Sequence, residues 1–446
     1  MIIEMRALNR FSRIAGRAAF GGIMALALFM TACKSNKLYD SPRVSSFRGN
    51  RLPAPPGMVY IPSGTIFYKS SQDSSDMGKN VSLSAFFIDE TEVTNRQYRE
   101  FVNWVADSVA VVDYLKDDQY FLKEDNTNED GTNDANVERL IDWKRVKKES
   151  PLWLSKNPEI QEKLRPMLTM KAGKRVLNDA LLTYRFSYLK MDGRNNDQYV
   201  TDTVGVMPVD DIWSKDFPNA QMHAMDANYF YHKSFDYNPV VGVSWKQARA
   251  YADWRGKEIM ASLQKNSYLK GYQLTFSLPT EAQWQYAAEG KLDPVDTIQR
   301  TRLTIDDRKS DKKRLAVNFK QGEGTYSRDG STFTVPVKAY TPNAFGVYNM
   351  AGNVSEWTLD AFSPSAIEFV NDLNPVLLYD ADDHASYALK RKVVRGGSWK
   401  DNGSMLNSDA RNYEQQDEAH SYIGFRCVMS AFEMATPQVK TRKYKN

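Results

Sequence analysis

The sequence predicts an α+β domain, and three features carry that expectation. Short alternating apolar segments mark strands within 57–68 and 81–88. Two helices announce their starts with the same signal, a threonine three residues ahead of a glutamine, at Thr94/Gln97 and at Thr280/Gln283. Hydrophobic residues at 42% and aromatics at 12% describe a chain that buries a core, and Trp 9 with Tyr 24 suits loops packed by aromatic side chains.

The residues ahead of that domain divide into three zones. Arg6, Arg10, Arg13 and Arg17 make a positive region, Ala18 to Met30 carries no charge, and Met30-Thr31-Ala32-Cys33 closes the stretch. The 13-residue apolar run is too short for a bilayer core of about 30 Å and fits the central region of a secretory leader. Small residues before a cysteine suit lipoprotein processing, with residues 1–32 removed and Cys33 acylated. Each buried methylene contributes about 0.8 kcal/mol, so several acyl chains anchor where one does not. Neither an aspartate nor an acidic cluster follows Cys33, which points to the outer membrane and its periplasmic face. Residues 33–56 form a lipidated tether that stiffens at Pro53-Ala54-Pro55-Pro56.

Gly57 to Tyr68 then reads as a strand and turn, and Val81 to Ile88 as a second strand. Thr94 caps a helix that carries Tyr98, Phe101, Val102 and Val105 at helical spacing. Residues 106–236 are a long insert. Inside it the polar run 125–134 is expected as a mobile loop, and its carboxylate spacing does not match an EF-hand. Tyr184 to Leu189 and Val204 to Met207 read as strands, Val240 to Arg255 as a strand end entering a helix capped by Ser244, and Thr280 opens another helix. The charged stretch 301–314 is expected as a solvated loop, and the basic tail 434–446 as disorder. The domain proper thus spans 57–433.

The chain carries +4 overall and its leader +3, so the mature part is near +1. That balance gives no electrostatic case for binding nucleic acid. Cys33 and Cys427 are the only cysteines. With Cys33 lipidated, Cys427 has no intramolecular partner, and its place in Ile423 to Val428 predicts an inert thiol in a core strand.

Several segments arrive in a fixed order: Gly57 to Thr65 (GMVYIPSGT), Asp89 to Asn95 (DETEVTN), Pro239 to Trp245 (PVVGVSW), Leu278 to Trp284 (LPTEAQW), Pro342 to Trp357 (PNAFGVYNMAGNVSEW), Arg395 to Trp399 (RGGSW) and Gly424-Phe425-Arg426. Together they resemble the formylglycine-generating enzyme (sulfatase-modifying factor) family. The resemblance implies a C-type-lectin-like α+β fold with little regular secondary structure, here interrupted by the long insert. In those enzymes two cysteine thiolates follow the Gly-Gly-Ser-aromatic turn and hold Cu(I), which soft sulfur suits. Asp401 and Leu406 stand at those positions here, so the expectation is the fold without copper and without catalysis. Met405 is expected to pack rather than ligate. An iron-dependent branch uses three histidines, but His223, His232, His384 and His420 contain no H-x-x-x-H pair, and His223 and His232 are expected to be structural. The resemblance also implies structural Ca2+, with Asn349, Gly352, Val354 and Glu356 as one ligand set and Asn318, Phe319 and Asp329 as a second. Amide, carbonyl and carboxylate oxygens suit such a hard cation. The competing expectation is that Glu356 caps backbone amides with no ion.

A narrower resemblance joins Asp380 to Asp383, Lys390 to Asp401, Arg411 to Glu414 and Ser421 to Val428 to the gliding-motility lipoproteins of the GldK/PorK type. It implies a periplasmic ring component of the type IX secretion system that associates with itself and with a GldN/PorN-type partner. Lipoproteins of the sister GldJ type and a cryptic formylglycine-generating-type oxidase are the alternatives. The insert and the 360–390 loop, as additions to the enzyme-like framework, are the expected contact regions.

Overall fold

The computed structural model describes residues 54–69, 78–122, 139–171, 173–191, 198–263, 275–290, 304–307, 312–324, 326–327 and 331–431. Cys33, most of the tether, the polar run 125–134, Asp329 and the basic tail lie outside the described residues. Every described residue belongs to one compact unit within Ser46–Asn446.

In chain order the strands are β1 (Met58–Ile61), β2 (Gly64–Tyr68), β3 (Lys79–Leu83), β4 (Phe86–Asp89), β5 (Leu168–Lys171), β6 (Lys174–Leu177), β7 (Thr183–Lys190), β8 (Gln198–Gly205), β9 (Phe276–Ser277), β10 (Thr304–Asp307), β11 (Lys312–Leu315), β12 (Ser355–Ala361), β13 (Arg391–Arg395), β14 (Arg411–Gln415), β15 (Ile423–Gly424) and β16 (Val428–Ser430). The helices used below are α1 (Asn95–Val109), α2 (Trp143–Glu149), α3 (Pro158–Leu164), α4 (Ile212–Asp216), α5 (His223–Asn228), α6 (Trp245–Leu263) and α7 (Glu281–Glu289). One four-stranded sheet runs β1-β4-β16-β9 and another β14-β13-β12-β15, while β2–β3, β5–β6, β7–β8 and β10–β11 pair as two-stranded units. Among the described residues no helix is long and apolar enough to cross a membrane.

The helix starts follow their sequence signals. Thr94 and Gln97 exchange side-chain and backbone hydrogen bonds in a full capping box, as do Thr280 and Gln283. Ser244 does the same with Gln247: its backbone N–H donates to Gln247 Oε1 at 2.8 Å, and Gln247 N donates to Ser244 Oγ at 3.3 Å. Helix α6 runs on to Leu263, past the predicted Arg255, and residues 240–243 form no strand.

Four further expectations need correction. The single strand expected over 81–88 is two, β3 and β4, parted at Ser84-Ala85, where Ser84 N donates out of the ladder to Asn374 Oδ1 at 2.7 Å. The strand expected at 204–207 is the end of β8, which begins at Gln198. The charged stretch 301–314 is not a loop throughout, because β10 and β11 pair antiparallel with Asp306 opposite Lys313 and Asp307 opposite Lys312. Cys427 is buried as expected but lies between β15 and β16 rather than inside a strand.

The largest core cluster explains why the insert is not a loose appendage. Tyr98, Phe101 and Val105 of α1 and Tyr251 and Trp254 of α6 pack with Tyr184 and Phe186 of β7 and with Val146, Leu152 and Leu164 from α2, α3 and the turn between them. Phe101 meets Tyr184 edge-on at 5.3 Å and Tyr98 stacks on Tyr251 at 5.6 Å, contacts worth roughly 0.5–1.5 kcal/mol each beyond their burial. Asp107, buried at the end of α1, accepts from Leu152 N at 2.7 Å and ties the helix to the insert.

Candidate functional site

Strand β13 delivers the chain into the Gly-Gly-Ser-Trp turn. Gly396 and Gly397 both take positive φ, 92° and 66°, and a Cβ on Gly397 would come within 2.8 Å of Met405 O, so the sharp reversal requires glycine. Trp399 lands in a pocket of rings, stacking on Trp213 at 5.7 Å and meeting Phe333 edge-on at 5.6 Å, while its N–H donates to Ser421 O at 3.2 Å. The turn therefore faces the segment that holds α4.

The two positions expected to replace thiolates are engaged internally. Asp401 Oδ2 accepts from the buried Ser398 hydroxyl at 2.6 Å, and its Oδ1 lies 2.8 Å from Lys400 Nζ. Leu406 is buried at the end of the same loop, and Met405 is half-buried. Cys427 is fully enclosed, its N–H donating to Asp89 Oδ2 at 2.8 Å, and burial pushes its thiol well above its usual range. His223 and His232 make local contacts, His223 Nδ1 with Ser214 Oγ at 3.3 Å and His232 Nδ1 as acceptor for Ser234 N at 3.3 Å.

The loop leading into β12 packs on that turn. Gly352 N donates to Gly396 O at 2.9 Å, and a Cβ on Gly352 would fall 2.3 Å from Asn318 O. Asn349, Gly352, Val354, Glu356, Asn318 and Phe319 are thus brought into one interior region, and Asp329 lies outside the described residues. The donors there bear on calcium. Arg426 gives its Nε to Glu356 Oε2 at 2.7 Å and its Nη2 to Oε1 at 2.6 Å, and Trp284 Nε1 adds a bond to Oε2 at 2.8 Å. Asn349 and Asn353 turn their amide nitrogens to Glu92, at 3.1 and 2.8 Å. Asn318 donates to Phe333 O at 2.7 Å, and Phe319 O accepts from Gln321. A guanidinium already neutralises Glu356, so this ligand set does not fit a hard dication bound through that carboxylate.

Sequence reasoning quoted Glu92 and Arg426 within motifs but gave neither a role. Glu92 is fully buried, and burial pushes its carboxyl up to about 7, with Arg426 pulling it down and Glu356 pushing it further up. A second buried knot lies alongside: Glu281 of α7 receives Arg411 Nε at 2.6 Å and Arg395 Nη1 at 2.8 Å. Burial would raise the Glu281 carboxyl, but Arg411 and Arg395 hold it below the usual range. Buried ions persist only when paired in this way.

Comparison with known proteins fits this framework. Residues 45–431 match the family model of the sulfatase-modifying factor enzyme 1-like domain. The formylglycine-generating enzyme of Streptomyces coelicolor is 34% identical over 200 residues, 44% of this chain and 53% of that protein. A mouse relative, inactive C-alpha-formylglycine-generating enzyme 2, is 29% identical over 43% of this chain and 49% of its own length. The chain spans about half the length of the curated relatives it matches. Among solved structures, PvdO from Pseudomonas aeruginosa aligns with 86% of this chain and 100% of its own at 15% identity and a TM-score of 0.39. The α+β fold is that of the formylglycine-generating enzymes, and the chain belongs to the sulfatase-modifying factor enzyme 1-like family.

Proposed function

We propose that this chain is a non-catalytic member of its family: an outer-membrane lipoprotein, anchored through Cys33 and facing the periplasm, that builds a ring component of the type IX secretion and gliding machinery with a GldN/PorN-type partner. The observation that carries the first half is the occupancy of the two thiolate positions. Asp401 is tied to Ser398 and Lys400, Leu406 is packed, and the thiol of Cys427 is enclosed elsewhere. Cu(I) needs soft ligands, and neither a carboxylate nor an isobutyl group supplies them. A mouse relative is itself named inactive, which supports a use of this domain apart from the reaction.

The second half rests on the narrower sequence resemblance and on where the additions lie. The insert and the 360–390 loop meet each other: Asp380 N donates to Met191 O at 2.7 Å, Met191 N donates back to Asp380 Oδ2 at 3.1 Å, and Lys190 pairs with Asp382. Beside this seam Leu189 and Tyr199, opposite each other in the β7–β8 pair, are exposed, and Tyr387 and Leu389 are exposed on the 360–390 loop. Apolar groups exposed on both additions suit an assembly surface.

The test is extraction of the full chain from membranes in mild detergent, followed by size-exclusion, electron microscopy and identification of co-purifying proteins. Large rings holding a second periplasmic protein are the expected result. A lone monomer that consumes oxygen while converting a cysteine-containing peptide would overturn the proposal in favour of the oxidase.

A further inference from the structure

We propose that Glu414, Glu418 and His420 form a binding site for a divalent transition metal such as zinc, with Asp216 orienting the histidine from behind. The site is separate from the Glu356 loop and does not depend on the ring reading.

Strand β14 ends at Gln415, and a turn closed by Glu418 N donating to Gln415 O at 3.0 Å brings Glu418 back beside Glu414. The chain then runs through His420. One ligand atom from each of Glu414, Glu418 and His420 lies within 4.8 Å of the others, close enough for small side-chain rotations to bring all three onto one ion at about 2.0–2.2 Å.

The histidine is held in the way metal-binding histidines are held. Its Nδ1 sits 2.7 Å from Asp216 Oδ1 on α4, and the other Asp216 oxygen accepts from Ser421 N at 2.6 Å and from Ser421 Oγ at 2.7 Å. The ring also stacks on Tyr422 at 4.7 Å. A carboxylate on one ring nitrogen fixes the ring's orientation and makes the other nitrogen a better ligand. That other nitrogen, Nε2, is buried and lies 3.2 Å from Glu414 Oε2, a contact that an ion would replace by displacing the Nε2 proton. Glu414 Oε1 accepts only from the neighbouring Gln415 N, at 2.8 Å, and no ion pair to Lys or Arg is found for Glu414 or Glu418 among the described residues. The neighbouring Asp417 differs, its two oxygens pairing with Lys246 and Lys390. Lysines are therefore within reach of this turn, yet they engage Asp417 and leave the Glu414–Glu418 pair to the imidazole. One nitrogen and two carboxylate oxygens suit zinc and its neighbours in the first transition row. Glu418 lies at the exposed edge, which leaves room for water to complete the coordination.

Zinc titration of the metal-free full chain, read by competition with a chromophoric chelator, tests this. One ion per chain in the micromolar range or tighter is expected. Glu418→Gln should weaken binding at least about 10-fold, Asp216→Asn about 10–100-fold, and His420→Ala should abolish it. The absence of saturable binding overturns the proposal. So does binding by His420→Ala that matches the unaltered chain, since His223, His232 or His384 would then be the ligand. Should His420→Ala fail to fold, Glu418→Gln decides, because its side chain is exposed: unchanged affinity in that variant overturns the site.

Discussion

Arg426 touches four acceptors with one side chain: both oxygens of Glu356, Asp89 O at 3.0 Å and Tyr348 O at 2.9 Å. Removing it leaves Glu356 buried and unpaired beside Glu92. Arg426→Ala is expected to cost about 3–5 kcal/mol, measured by denaturant unfolding, whereas Glu356→Gln, which keeps an acceptor, should cost less. Calcium bears on the same residue. With a guanidinium on Glu356, millimolar calcium or its chelation should leave the melting midpoint of the unaltered chain in place, and a rise with calcium would show an ion at this loop. Little of this was legible in the sequence. The glycines and asparagines of the loop pointed to a tight turn, but Glu92 meets Asn353 across 261 residues and Arg426 meets Asp89 across 337, and local spacing carries no trace of such pairs.

Elements divide by how local their signals are. The capping boxes at Thr94 and Thr280 involve residues three apart, so they read directly. The parting of β3 from β4 does not, because it depends on Asn374 taking Ser84 N from 290 residues away. Strand β8 (QYVTDTVG) shows little apolar alternation at its start, so only its apolar end stood out. Helix α1 offers a test at this scale through Asp107. Burial pushes its carboxyl up to about 6 from an ordinary 3.8, while its bonds from Ser150 and Leu152 pull it down. The folded state therefore holds a proton that the unfolded chain gives up between about pH 4 and 6, and stability falls as pH rises through that window. Asp107→Asn keeps the acceptor for Leu152 N and removes the charge. Its stability relative to the unaltered chain should rise from pH 4 to pH 6 by up to about 3 kcal/mol, read from urea melts. A difference that stays constant across the window would show that Asp107 titrates normally.

At the scale of the whole molecule, the long insert looked like an addition to an enzyme framework, and its sequence position supports that. Its packing makes it part of the framework's own core. Tyr184 of β7 lies against Phe101 at 5.3 Å and Trp104 at 6.0 Å, and its hydroxyl donates to Asp253 of α6 at 2.7 Å. The described unit should accordingly melt in one cooperative transition by calorimetry, and Tyr184→Ala should lower that single midpoint rather than release a separate early phase. Two resolved transitions would show that the insert folds on its own. Composition could not reveal this, because an aromatic residue in an insert has the same letter whether it packs on its own hairpin or on a distant helix.

The order β1-β4-β16-β9 has a consequence for biogenesis. The strand that joins the two halves of this sheet, Val428–Ser430, is among the last described residues to be synthesised, yet it sits between a strand from residues 86–89 and one from residues 276–277. A nascent chain stopped short of Val428 presents β4 and β9 as open edges with no neighbour to close them. This last described strand acts as the bolt of the sheet: until it is delivered β9 has no strand to join, and a premature stop a few codons upstream is expected to leave β1 paired with β4 and to part β9 from them.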